Sequence, residues 1–111
     1  MTAEGASELV LALSTAPDAE QAERIARALV EERLIACANL VPGVTSIYRW
    51  EGAVQAEAEV LMVMKTRHAL VPRLKERLPR LHPYEVPELV VTAVVDGLDP
   101  YRRWVRDETE G

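Results

Sequence analysis

The order of periodicities along the chain predicts an α+β fold, an antiparallel sheet with helices packed on one face. Strand-length apolar runs alternate with stretches of helical period. Their order is β-α-β-β-α-β with one added helix, and no repeat, low-complexity tract or linker interrupts it. That order is the split βαβ pattern. A chain of 111 residues has room for one core and one domain, residues 1–111.

The first strand is ELVLALST, Glu8–Thr15, an apolar run of strand length. Asp18, with Gln21 three residues on, forms a capping box for the helix that follows. Ala22, Ile25, Ala26, Leu29 and Val30 recur at helical spacing, with Glu20, Glu23, Arg24 and Arg27 opposite, and the pattern runs to about Arg33. LIACANLVPGVTSIYRW is rich in β-branched and aromatic residues, and Pro42-Gly43 inside it marks an edge or a bulge. Glu51-Gly52 makes a hairpin reversal into the long strand AVQAEAEVLMVMKT, and the tip projects beyond the core. A second helix covers roughly His68 to Leu78, with Pro72 in its first turn and Pro79 as its stop or a kink. LHPYEVPEL, stiffened by Pro83 and Pro87, connects it to a third strand pattern, Glu88–Asp96. Asp99-Pro100 then caps and starts a short helix with Tyr101, Trp104 and Val105 inward.

The strands are apolar at consecutive positions: Leu9–Leu13, Val60–Met64 and Leu89–Val95. A sheet with one wet side alternates instead. Two helices cover one face, so the other calls for cover by self-association. The net charge of −5 argues against nucleic acid as partner, which needs a basic face. Cys37 is the single cysteine, which excludes an intramolecular disulfide and points to a reducing compartment. Glu4 and Glu8 stand where a signal peptide carries positive charge, and the apolar run after them is too short to span a membrane. The expectation is a cytoplasmic protein without a membrane partner.

EERLIACANLVPGVTSIYRWEG (Glu31–Gly52), Lys65-Thr66 and LHPYEVPEL resemble the CutA family, the divalent-cation tolerance proteins, and STAPDAEQAERIARALVEERL is similar to the family's opening strand and helix. The similarity covers Leu9 to about Val105 in order and spacing. It implies a ferredoxin-like domain assembled as a stable homotrimer, and a link to copper and other divalent cations with no cofactor required. The architecture also resembles that of the trimeric PII signalling proteins, an analogy of fold only. Some family members bind copper through a cysteine at the end of the first strand and a histidine pair before the Pro-Tyr. Here those positions hold Ser14 and Leu81-His82, so His82 alone is left.

The metal candidates are thus His82 and Cys37, imidazole and thiolate both suiting copper, with each ligand occurring three times in a trimer. The competing roles are a helix-capping or hydrated His82 and a small buried hydrophobe for Cys37. Met62 and Met64 share a strand face, as a soft ladder or as core filling. No zinc spacing, nucleophile elbow, phosphate-cradling loop or Ser-His-Asp set is present, and a Glu85–Glu88 acid–base pair competes with a structural role; the expectation is a non-enzyme. A cleft between subunits is expected near Trp50, Glu59, Lys65, Tyr84, Glu85 and Glu88, with Glu59 or Glu88 as partners for the Lys65 ammonium and an intersubunit salt bridge as the competing role. Tyr48, Arg49 and Trp50 at the hairpin tip read as contacts to a neighbouring subunit. Two functions stand: divalent-cation tolerance through weak or intersubunit cation binding, and a PII-like sensor of a small metabolite.

Overall fold

A computed structural model describes residues 8–110. Glu4, used above in the signal-peptide reading, lies outside the described residues. The elements are β1 (Leu9–Ala16), α1 (Ala19–Glu31), β2 (Cys37–Trp50), β3 (Ala53–Arg67), a 3-10 turn (His68–Leu70), α2 (Val71–Leu81), β4 (Val90–Ala93) and α3 (Asp99–Thr109). They build one antiparallel sheet in the order β2-β3-β1-β4.

Strand alternation divides the residues between two faces. On the inner face Ala12, Ala16, Met62 and Met64 join Ala22, Ile25, Ala26 and Leu29 of α1 and Leu74 and Leu78 of α2 in the core. The methionines are core filling. The outer face carries Leu11, Leu13, Leu61 and Val63, all half-buried. α3 lies on this outer side at the far end, where Val105 packs with Leu9 and Ala36. The expected helix layer on one face is therefore α1 and α2 only.

Local chemistry explains the ends of the elements. Asp18 accepts from the backbone N–H of Gln21 at 2.8 Å, capping α1. The reciprocal half of the expected box is missing, because Gln21 Oε1 accepts from Arg24 instead. α1 ends two residues short of Arg33 in a Schellman arrangement. Leu34 N–H donates to Leu29 O and Arg33 N–H to Val30 O, both at 3.0 Å, with Arg33 at φ 60° where glycine is usual. Pro42-Gly43 does shift the register between Val41 and Val44. Glu51 and Gly52, at φ 50° and 83°, form a two-residue turn of the I′ kind, and the hairpin lengthens the molecule to 44 Å against 27 and 25 Å.

Three expectations change. Pro79 does not stop α2, which runs to Leu81; so near the C-terminus the ring deletes one bond, and the chain turns extended only at His82, before Pro83. β4 is Val90–Ala93 rather than Glu88–Asp96, because its partner register covers only Val10–Leu13. In α3 Pro100 follows Asp99 inside the helix, Leu98 is the N-cap, and no side chain caps it. Val105 and Thr109 are its buried residues, while Tyr101 and Trp104 stand 40% and 42% exposed.

Candidate functional site

A cleft of about 650 Å³ opens where the hairpin leaves the sheet and the LHPYEVPEL connector crosses the end of β1. Trp50, Glu59, Tyr84, Glu85 and Glu88 all line it. Lys65 does not. It lies six residues along β3 from Glu59, about 20 Å at strand rise, and donates to Asn39 Oδ1 rather than to Glu59 or Glu88. Sequence reasoning missed Thr15 and Ser46 as lining residues. The available signal was parity. Thr15 falls on the outer face with Leu13, and Ser46 lies opposite Glu57 on the side of Glu59.

The connector is clamped by a chain of hydrogen bonds. His82 Nδ1 accepts from the Tyr84 backbone N–H at 3.1 Å, so the ring proton sits on Nε2 and is donated to Thr15 O at 2.7 Å. The ring packs against that of Tyr84 with centroids 4.7 Å apart. The Tyr84 hydroxyl donates to Glu59 Oε2 at 2.6 Å. One short segment thereby fastens to both β1 and β3. Burial, then the bond to the Glu59 carboxylate, push the Tyr84 phenol well above its usual range. Tyr48 on the neighbouring strand is raised as well, by burial and then by the charges of Glu57 and Glu59.

His82 is 7% exposed, and both ring nitrogens are engaged within the chain, which leaves no free lone pair for a metal. Nor does the ring cap helix carbonyls; the backbone N–H of His82 does that, to Leu78 O at 3.1 Å. Cys37 lies opposite Lys65, which faces Leu11, so it is four residues along β1 from the Thr15 end, about 13 Å. Its Sγ is 3.7 Å from the Tyr101 hydroxyl, and burial, then this contact, raise that phenol to about 12. The two expected ligands do not share a site in one chain. Ser14 Oγ, at the strand position noted above, is fully buried and without a hydrogen-bond partner. Among the described residues no group of three His, Cys, Asp or Glu side chains converges to hold a metal ion. A closed copper donor set therefore does not fit a single chain.

The cleft presents three carboxylates, of Glu59, Glu85 and Glu88, and no Lys or Arg lines it. Its walls also carry the rings of Tyr48, Trp50 and Tyr84. Such a surface attracts cations electrostatically and offers aromatic faces to an organic ligand. Among the described residues no helix is long and apolar enough to cross a membrane.

Comparison with known proteins places this architecture. The CutA1 divalent ion tolerance protein family matches residues 10–108. The divalent-cation tolerance protein CutA of Thermus thermophilus is 52% identical over 97 residues, 87% of this chain and 94% of that protein. Human protein CutA is 48% identical over 89% of this chain, which spans 55% of that protein's length. The crystal structure of CutA from Xylella fastidiosa superposes with a TM-score of 0.90 at 40% identity, covering 93% of this chain and 99% of that one. Nearly the whole chain is matched, through the hairpin, the connector and α3. The chain belongs to the CutA1 divalent ion tolerance protein family.

Proposed function

We propose that the chain acts in divalent-cation tolerance as a non-enzymatic, cytoplasmic, ferredoxin-like homotrimer that attracts cations to the carboxylate-lined cleft. The single observation that carries this reading is the cleft itself, with three carboxylates and no basic side chain in its lining. In a trimer each carboxylate is present three times, so a donor set open in one chain is completed at a subunit boundary. The sheet order β2-β3-β1-β4 supports the ferredoxin-like assignment. The exposed apolar residues Ile47, Val54, Val90 and Leu98 support self-association. The thiol of Cys37 is free, as a reducing compartment keeps it.

Cu²⁺ is the sensitive probe, because among first-row divalent ions it binds a given N/O donor set most tightly. Calorimetric titration of wild type, Glu59→Gln, Glu85→Gln and His82→Ala is the test. Saturable binding weakened in the two carboxylate variants and retained in His82→Ala is expected. A single isotherm shared by all four proteins removes the cleft as the cation site.

A second reading, a PII-like sensor of a small metabolite with indirect metal effects, is favoured by the aromatic lining of Tyr48, Trp50 and Tyr84. Under it, Cu²⁺ gives no saturable binding and small-molecule ligands raise the melting temperature.

A further inference from the structure

A separate cavity of about 330 Å³ lies where α3 crosses the start of β1 and the end of β3, away from the carboxylate cleft. Four arginines line it, Arg67, Arg102, Arg103 and Arg106, over a floor of Leu9 and Val105. Asp99 is the one carboxylate in the lining. In a chain with 18 acidic and 13 basic residues, this is a local reversal of the overall charge.

The arrangement is unfavourable for the helix on its own. Arg102 and Arg106 are four residues apart and Arg103 and Arg106 three, so they are neighbours on the helix surface, where like charges repel. Compensation within the chain is weak. Arg102 reaches Asp99 at 3.8 Å, and Arg106 reaches Asp107 and Glu110 at 3.7 and 3.8 Å, all through exposed side chains. Arg103 is in no ion pair with the described residues. Arg67 is held differently. Its Nε and Nη2 donate to Thr109 Oγ1 and O at 2.8 and 3.1 Å, pinning the last turn of α3 and fixing the guanidinium plane at the cavity wall.

We infer that this cavity is an anion site for the phosphate group of a small molecule. A guanidinium presents N–H donors in a planar fork that matches phosphate oxygens, and several forks around one concavity suit a multiply charged oxyanion better than a single carboxylate. The cavity is larger than one phosphate group, and its apolar floor receives the body that carries the phosphate. The overall charge of −5 disfavours a nucleic-acid backbone as the source. The site is independent of the cation reading, and either stands without the other.

Pyrophosphate is the probe, titrated calorimetrically into the full chain at ionic strength held constant with sodium chloride. Saturable binding that falls as salt rises is expected, weakened tenfold or more in Arg102→Gln/Arg103→Gln. The single variant Arg103→Gln, which removes no ion pair, weakens it in the same direction, and Arg73→Gln, outside the cavity, leaves it unchanged. Heats indistinguishable from chloride-matched dilution overturn the proposal, as does equal affinity in Arg103→Gln and Arg73→Gln. A wild type silent to pyrophosphate, with the assembled mass lowered in Arg102→Gln/Arg103→Gln, overturns it too and assigns the arginines to carboxylates of a second copy.

Discussion

The two faces of the sheet are made by the same strands from similar residues, and they end up in opposite states. On the inner face Met62 and Met64 meet Ile25, Leu29, Leu74 and Leu78, and all six are fully buried. On the outer face Leu11, Leu13, Leu61 and Val63 are only half-buried. Beyond the helices the sheet runs on into a hairpin that neither helix covers, where even the inner-face positions Ile47 and Val54 are 72% and 64% exposed. Strand composition therefore does not decide burial; what the chain can lay across each face does. Two amphipathic helices close one side, and α3 reaches only the Leu9 end of the other.

The sharpest way to break this contrast is to damage the covered core and the uncovered apolar surface in turn. Leu78→Ala removes a fully buried side chain from the inner core and is expected to destabilise by about 2–5 kcal/mol. The urea midpoint falls at every protein concentration. Ile47→Asp changes a side chain that already faces solvent in one chain, so the fold is retained. Its expected effect is on assembly: sedimentation shifts toward the 12.4 kDa single chain, and any concentration dependence of the midpoint is lost. A wild type that sediments as a 12.4 kDa species, with a midpoint indifferent to concentration, removes self-association as the cover of the exposed apolar surface.

Much of this was legible because it depends on local chemistry. Asp18 as a cap, the Pro42-Gly43 bulge and the Glu51-Gly52 reversal each follow from the backbone preferences of one or two residues. Consecutive apolar positions in β1 and β3 announced two greasy faces. Long-range choices were not legible. Tyr101 and Trp104 fit an inward stripe by spacing, yet α3 lies over an open face that offers them no cover. Pro79 fits a helix stop, yet one lost bond near the end does not outweigh the burial of Leu74 and Leu78. At the cleft, aromatic and acidic residues near a proline-stiffened connector were readable as a group. Lys65 stands apart from the cleft within one chain, because charge complementarity says nothing about distance along a strand, and Asn39 is the nearer partner. His82 failed as a free ligand because its backbone neighbours, invisible in residue type, take both ring nitrogens.

A smaller effect probes the junction between the faces. Tyr84 fastens the connector to Glu59, and Tyr84→Phe deletes that bond while keeping the ring on His82. A hydrogen bond to a charged acceptor contributes about 1.5–3 kcal/mol, and a loss in that range is expected between pH 7 and 9. The alkaline limb gives a second readout. The folded phenol titrates above its ordinary 10.0, so its contribution is complete below pH 10 and declines as pH rises above it. The variant lacks this group, and its stability falls less steeply above pH 10. Parallel declines in the two proteins would show that the hydroxyl does not hold the connector in solution.

The smallest expected change has the opposite sign. Ser14 sits on the inner face between Ala12 and Ala16, opposite Met62, and its hydroxyl is buried without a partner. An unsatisfied buried hydroxyl costs about 1–3 kcal/mol, while trading it for hydrogen leaves a void of only one oxygen atom. Ser14→Ala is therefore expected to stabilise by about 1 kcal/mol, with a higher urea midpoint and an unchanged slope. Ser14→Val is the control, since added methyl groups in a close-packed layer strain their neighbours and lower the midpoint. A fall in Ser14→Ala would mean that the hydroxyl holds a water molecule among the core side chains. The inner face would then owe part of its order to a polar contact, and the difference between the two faces would be one of partners as well as of cover.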